Sequence, residues 1–132
     1  MEKEKENELM MKLSFFEQQI NQIQQQLEII EKNIIEMNSL KIGLDEFKKA
    51  EGKEVLAQIA KNIFVRTKLI SDELIVDIGS GNFVKKSIED TKELIGEQNN
   101  KLEKIREQLN SALEKINDEL TKTMMDAQNK KD

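Results

Sequence analysis

From Leu9 to Met37 the apolar residues fall at Leu9, Leu13, Phe16, Ile20, Ile23, Leu27, Ile30, Ile34 and Met37, in alternating steps of four and three. A seven-residue repeat held for four turns of the pattern predicts a helix whose apolar stripe needs a partner helix in a left-handed supercoil. The stripe passes through the glutamine-rich EQQINQIQQQ at Ile20, Ile23 and Leu27. The glutamines are therefore read as a solvated helix face, not as a low-complexity tract. Beyond Met37 the seam reaches Leu44 either through Lys41 or through Leu40. The pattern predicts a helix over residues 4–51 that stops near Gly52, with Lys48 and Lys49 in a last turn where cations suit the helix dipole.

The period changes after residue 52. EVLAQIA, NIFVRTKL, ELIVDIG and NFVKK are short β-rich runs, broken at Ala60-Lys61-Asn62, Ile70-Ser71-Asp72 and Gly79-Ser80-Gly81-Asn82. Short breaks of this kind join antiparallel neighbours, so residues 53–86 are expected to form two β-hairpins. Ile63, Val65, Thr67 and Leu69 share one face of the second run, and Leu74, Val76 and Ile78 one face of the third. Two hairpins this small cannot bury both faces or protect their edges, so they call for strands from other chains. Val55, Ile59, Ile63, Val65, Leu69, Leu74, Val76, Ile78 and Phe83 are the residues expected to make that association, with Gly79 and Gly81 in the turn.

A second helical pattern opens at Ser87, which with Asp90 three residues on fits a capping box, and runs to about residue 128. Its apolar positions include Ile95, Leu102, Ile105, Leu109, Leu113, Ile116, Leu120 and Met124. From Leu102 the steps group into an eleven-residue repeat, which unwinds a left-handed supercoil. Each helix is roughly 40 residues, or about 60 Å, long and has a bare stripe, so the simplest arrangement pairs the two antiparallel with both chain ends at the far tip. A seven-residue stripe facing an eleven-residue one should drift out of register there. Leu9, Met10, Met11, Leu13, Phe15, Phe16, Leu113, Leu120, Met124 and Met125 exceed what one seam consumes. They either close the end of the coiled coil or offer an adaptable apolar surface. The fold class is α+β, mainly α: a long antiparallel coiled-coil hairpin with two central β-hairpins, read as one domain over residues 1–132.

Composition narrows the chemistry. Charged residues are 36% and aromatics 4% of the 132 residues, which suits long helices better than a compact core. The formal charge of −5 gives no general attraction to nucleic acid or to an anionic membrane, and no apolar run approaches a membrane span. The basic pairs Lys85-Lys86 and Lys130-Lys131 sit among acids without aromatic neighbours. The opening MEKEKENE has no signal-like apolar stretch behind it, so no secretion leader is expected. With no Cys and no His, the common zinc sites and the usual general base are missing, and no cofactor or metal is expected. Proline is absent too, which permits unbroken helices.

Only ELIVDIGSGNFV could suggest an active site, because strand, Gly-x-Gly and helix is the order of a phosphate-cradling loop. The third small residue of a dinucleotide fingerprint is Val84, the Gly-Lys-Ser/Thr of a P-loop is missing, and the next run reads as a strand. The glycines are expected to make a hairpin turn. Asp77 has no acid, base or nucleophile set beside it, and no enzyme is expected.

Coiled-coil helix, two β-hairpins and coiled-coil helix closely resembles the α class of prefoldin subunits, the archaeal and eukaryotic co-chaperone; β-class subunits have one hairpin. The most specific stretches are Val55-Leu56-Ala57-Gln58-Ile59, Asn62-Ile63-Phe64-Val65-Arg66, Ile75 through Val84, and Ile88-Glu89-Asp90-Thr91. One departure is Ala57-Gln58, where the family usually reads Val-Pro. The resemblance implies a cytoplasmic hexamer of two α and four β subunits, whose hairpins form a β-barrel and whose coiled-coil tips hold non-native clients. It implies ATP-free delivery of those clients to a group II chaperonin. The alternative from another class is a filament-forming or scaffolding coiled coil that assembles through its hairpins.

Overall fold

The computed structural model describes residues 2–129, so the Lys130-Lys131 pair lies outside it. The element order is α1 (Glu2–Phe47), β1 (Glu54–Ala60), β2 (Ile63–Lys68), β3 (Leu74–Asp77), β4 (Phe83–Lys86) and α2 (Ile88–Asn129). The chain divides into two compact units. One contains α1 up to Ile34 and α2 from Lys101; the other is Ile35–Asn100, with both hairpins.

In the second unit the helices run antiparallel in a fixed register. Asn38 meets Asn99, Lys41 lies against Gly96, Asp45 takes Lys92, and Lys48 takes Glu89, each step along α1 matched by an equal step back along α2. Leu44, Ile88 and Ile95 are the buried cluster, and Met37, Phe47 and Leu74 pack against it, so β3 is fixed to the helix pair through Leu74. Lys41, half-buried, carries the seam between Met37 and Leu44, while Leu40 stays exposed. Gly96 admits the lysine: a Cβ there would stand 3.3 Å from the Lys41 ammonium.

Asn99 is a polar residue in this otherwise apolar stripe. It is 7% exposed, its Nδ2 donates to Asn38 Oδ1 at 3.3 Å, and its own Oδ1 is buried with no partner among the described residues. A buried asparagine in a coiled coil fixes register at a cost in stability. Asn99→Leu should therefore stabilise the protein by about 1–2 kcal/mol, from the apolar area gained and the unpaired acceptor removed. A urea midpoint that falls instead would show that the amide is fully satisfied.

The end of α1 departs from expectation. The helix closes at Phe47, not near Gly52, and Lys49 itself takes the left-handed conformation (φ 62°). Ala50, held by its N–H to the Phe47 carbonyl, is buried, so the chain turns early to bury it. Lys48 and Lys49 thus lie beyond the last helical turn, and Lys48 pairs instead with Glu89 and, at 3.8 Å, with Asp45. The start of α2 is as expected: the Ser87 hydroxyl accepts the Asp90 N–H at 3.0 Å, and the Ser87 carbonyl accepts the Thr91 N–H and hydroxyl.

These ion pairs set a pH response. The hydrogen bond from Lys92 holds the Asp45 carboxyl below the usual range, the one from Lys48 lowers Glu89, and Glu89 in turn raises Lys48. A lowered carboxyl contributes stability above its ordinary pKa of about 4 and loses it as pH falls through the lowered value. The raised lysine contributes below its ordinary value, near 10.4, and loses that as pH rises through the raised one. All these groups are solvent-exposed to some degree, so the effect is small and screened by salt. Asp45→Asn with Glu89→Gln should flatten the acid limb of a Tm-against-pH curve at low ionic strength, with little change in 1 M salt.

In the first unit, α1 is half-buried or buried at Leu9, Leu13, Phe16, Ile20, Ile23, Leu27, Ile30 and Ile34, as the heptad predicts. The eleven-residue reading of α2 does not hold. Its covered positions include Leu102, Arg106, Leu109, Leu113, Ile116, Leu120, Thr123 and Ala127, again in steps of four and three, with Glu103 and Ala112 half-buried beside them. Ile105 and Met124, which generated the longer repeat, are exposed. Arg106 fills its seam position with an aliphatic stem that keeps the charged end in water. Thr123 and Ala127 are small enough to be covered without the apolar signature of a seam. Both helices therefore keep one period, and the stripes do not drift apart.

Candidate functional surfaces

The hairpins are two separate antiparallel ladders, β1 with β2 and β3 with β4. In the first, Val55 faces Thr67, Ala57 faces Val65 and Gln58 faces Phe64, with a bulge at Ile59 between Gln58 and Ala60. The Thr67 hydroxyl donates to the Val55 carbonyl at 3.1 Å. Ala57 and Gln58 are both in the ladder. Asn62, at φ 65°, turns the chain, a conformation asparagine tolerates better than most residues.

In the second hairpin Leu74 faces Lys86 and Val76 faces Val84, all half-buried, while Ile75, Asp77, Phe83 and Lys85 form the outward face. The turn is closed from within. Asp77 Oδ1 accepts the Gly79 N–H at 2.9 Å, the Asn82 carbonyl accepts the Ile78 N–H, and the Gly79 carbonyl accepts the Asn82 N–H. Gly79, Ser80 and Gly81 have φ values of 137°, 51° and 78°, a left-handed run that glycine makes accessible. Three loop N–H groups are thus spent inside the turn, and the loop opens into β4, not into a helix. Asp77 is a turn-capping carboxylate.

The expected association residues divide by environment. Val55, Leu69, Leu74 and Val76 are half-buried within the chain, whereas Ile59, Ile63, Val65, Ile78 and Phe83 are exposed. Outside that set, Leu56, Phe64, Ile70 and Ile75 are exposed too, and Ile70 at 87%, Ile75 at 72% and Leu56 at 68% are the most open apolar residues of the hairpins. The signal was available, because apolar residues on both faces of one strand mark a strand meant to be covered twice. The hairpins thus leave a broad apolar surface bare on ladders with open edges.

The unit that holds both chain ends carries the second apolar surface. Of the ten residues expected there, Leu9, Leu13, Phe16, Leu113 and Leu120 lie in the seam, and Met10, Met11, Phe15, Met124 and Met125 lie outside it, exposed. The Phe15 and Phe16 rings are 6.4 Å apart and tilted. Among the described residues no group of His, Cys, Asp or Glu is placed to hold a metal, and the recess along α2 lined by Lys104, Gln108 and Ala112 is an open groove. No helix there is long and apolar enough to cross a membrane.

Comparison with known proteins agrees with this architecture. The family model described as prefoldin subunit matches residues 16–131. The prefoldin subunit alpha of Methanobrevibacter smithii is 34% identical over 101 residues, 76% of this chain and 69% of that protein. The prefoldin subunit alpha of Methanopyrus kandleri is 33% identical over 114 residues, 80% of this chain and 73% of that one. Among solved structures, a chain of the filamentous PFD from Methanocaldococcus jannaschii, determined by cryo-EM, superposes with a TM-score of 0.77 at 19% identity. It matches over 87% of this chain and 97% of its own. Two helices with a heptad seam, two hairpins between them and these matches give one conclusion: the chain belongs to the prefoldin family of chaperone subunits, in its alpha class.

Proposed function

We propose that this chain is the two-hairpin subunit of an ATP-independent holdase. Its hairpins join those of β-type subunits, two α with four β, in a shared β-barrel. Its coiled-coil end holds unfolded proteins in the cytoplasm and hands them to a group II chaperonin. The observation that carries the reading is the exposed set Met10, Met11, Phe15, Met124 and Met125, which the seam does not use. Methionine and phenylalanine suit a surface that must accept many sequences. Each such side chain gains only about 1.5–3 kcal/mol when fully buried, so one arm binds weakly and releases quickly. Several arms around one client raise the effective concentration and hold it by avidity.

A second reading is a scaffold that grows by stacking its hairpins. What favours it is the open edges of both ladders and the shared fold with a protein described as filamentous. The test mixes the chain with a β-type subunit, measures mass by light scattering, and follows aggregation of a denatured client without nucleotide. A holdase gives a closed mass and suppresses aggregation. A mass that grows with concentration, without suppression, would establish the scaffold and overturn the holdase.

A further inference from the structure

The sequence has six methionines and no cysteine. Met37 is half-buried against the Leu44, Ile88 and Ile95 cluster. Met10, Met11, Met124 and Met125 are 68%, 72%, 51% and 58% exposed, and all four belong to the unit that holds the chain ends. The other exposed large apolar residues of the helices are Phe15, Ile29 and Ile105 in the same unit and Ile35, Leu40 and Ile42 in the other. Where this chain exposes an aliphatic side chain without apparent use, it exposes Ile or Leu. It places accessible thioethers only on the proposed client surface, among the described residues.

We propose that these four methionines are a peroxide-sensitive modification site that lowers client affinity when oxidised; the inference rests on the client-binding reading above. A hydroperoxide transfers one oxygen atom to each sulfur. The sulfur–oxygen bond forms as the oxygen–oxygen bond breaks, the thioether loses two electrons, and hydrogen peroxide leaves as water. The product, methionine sulfoxide, is polar and chiral and no longer fits an apolar contact. It is returned to the thioether by the two epimer-specific sulfoxide reductases, which spend a dithiol and release water. Phe15 and the seam leucines are untouched by this chemistry, so the arm stays folded while its outer surface becomes polar. Met37, covered in the other unit, reacts late.

The test uses the full assembly with its β-type partner. It is treated with hydrogen peroxide, the peroxide is removed with catalase, and denatured client is then added. Peptide mass mapping should find one added oxygen on Met10, Met11, Met124 and Met125 before Met37. Holding should fall on the order of tenfold, because the loss recurs on each arm that carries this subunit. The two reductases together should restore it, with helicity unchanged throughout. In the variant Met10→Leu, Met11→Leu, Met124→Leu, Met125→Leu, whatever its own holding, the ratio of treated to untreated should return to about one. Met37→Leu should leave the peroxide response as it was. Full oxidation of the four with unchanged holding would overturn this inference alone. A response that vanished in Met37→Leu would move the effect to the core and overturn it as well. An assembly that never held the client would defeat the client-binding reading itself, and this inference with it.

Discussion

A chain carrying Ile75→Glu and Phe83→Glu should keep its helices and lose its assembly. Both residues stand on the outward face of the second hairpin and are solvent-exposed within the chain, so the protomer has little to lose. An assembly that buries them loses about 1.5–3 kcal/mol of apolar transfer at each position. It must also desolvate two carboxylates with no partner, at several kcal/mol more. A shift above about 5 kcal/mol is more than a thousandfold in association. Circular dichroism should be unchanged, and light scattering should report protomers where the parent chain with its β-type partner gives a larger species. A variant that still assembled would place the interface on another face. Val76→Glu makes the contrast: Val76 is half-buried opposite Val84, so a charge there should disturb the hairpin itself.

Where each position states its environment by residue type, the fold was legible. The seam of α1 uses an apolar residue at every step from Leu9 to Met37, so a period of seven is unambiguous. The hairpin turns carry Asn62 and Gly79-Ser80-Gly81, which reach positive φ at small cost, and the strands between them were found within a residue or two. Ser87 marks the start of α2 because a hydroxyl there satisfies an N–H that the helix leaves open.

Legibility failed where position and residue type disagree. Asn99, Arg106 and Thr123 occupy the α2 seam, while Ile105 and Met124 lie one residue outside it. Reading apolar residues as the stripe then converts a seven-residue period into an eleven. The end of α1 differs for a similar reason: Lys49, a residue that gives no turn signal, is left-handed three residues before Gly52, which has a positive φ as well. The candidate surfaces share this pattern. Half of the expected client residues are seam residues, and on the hairpins Leu56, Phe64, Ile70 and Ile75, outside the expected association set, are exposed. An apolar residue at the wrong phase of its element was, in each case, the sign of an outward surface.

Phase also separates stability from binding in the unit that holds the chain ends. Changing Met10, Met11, Phe15, Met124 and Met125 together to Ser should leave thermal unfolding within about 0.5 kcal/mol of the parent, because all five are exposed surface positions. Leu13→Ser with Leu120→Ser alters two covered seam positions and should cost roughly 2–4 kcal/mol. The order reverses for client holding. If each arm gives up even about 1.5 kcal/mol of contact, the two arms that carry this subunit lose together more than a hundredfold in avidity. The five-site variant should assemble normally and fail to suppress aggregation. The seam variant should melt earlier yet hold clients at temperatures where it stays folded. If instead the five-site variant held clients as well as the parent, binding would belong to the seam residues, exposed by opening of the coiled coil, and the outward methionines would have no part in it.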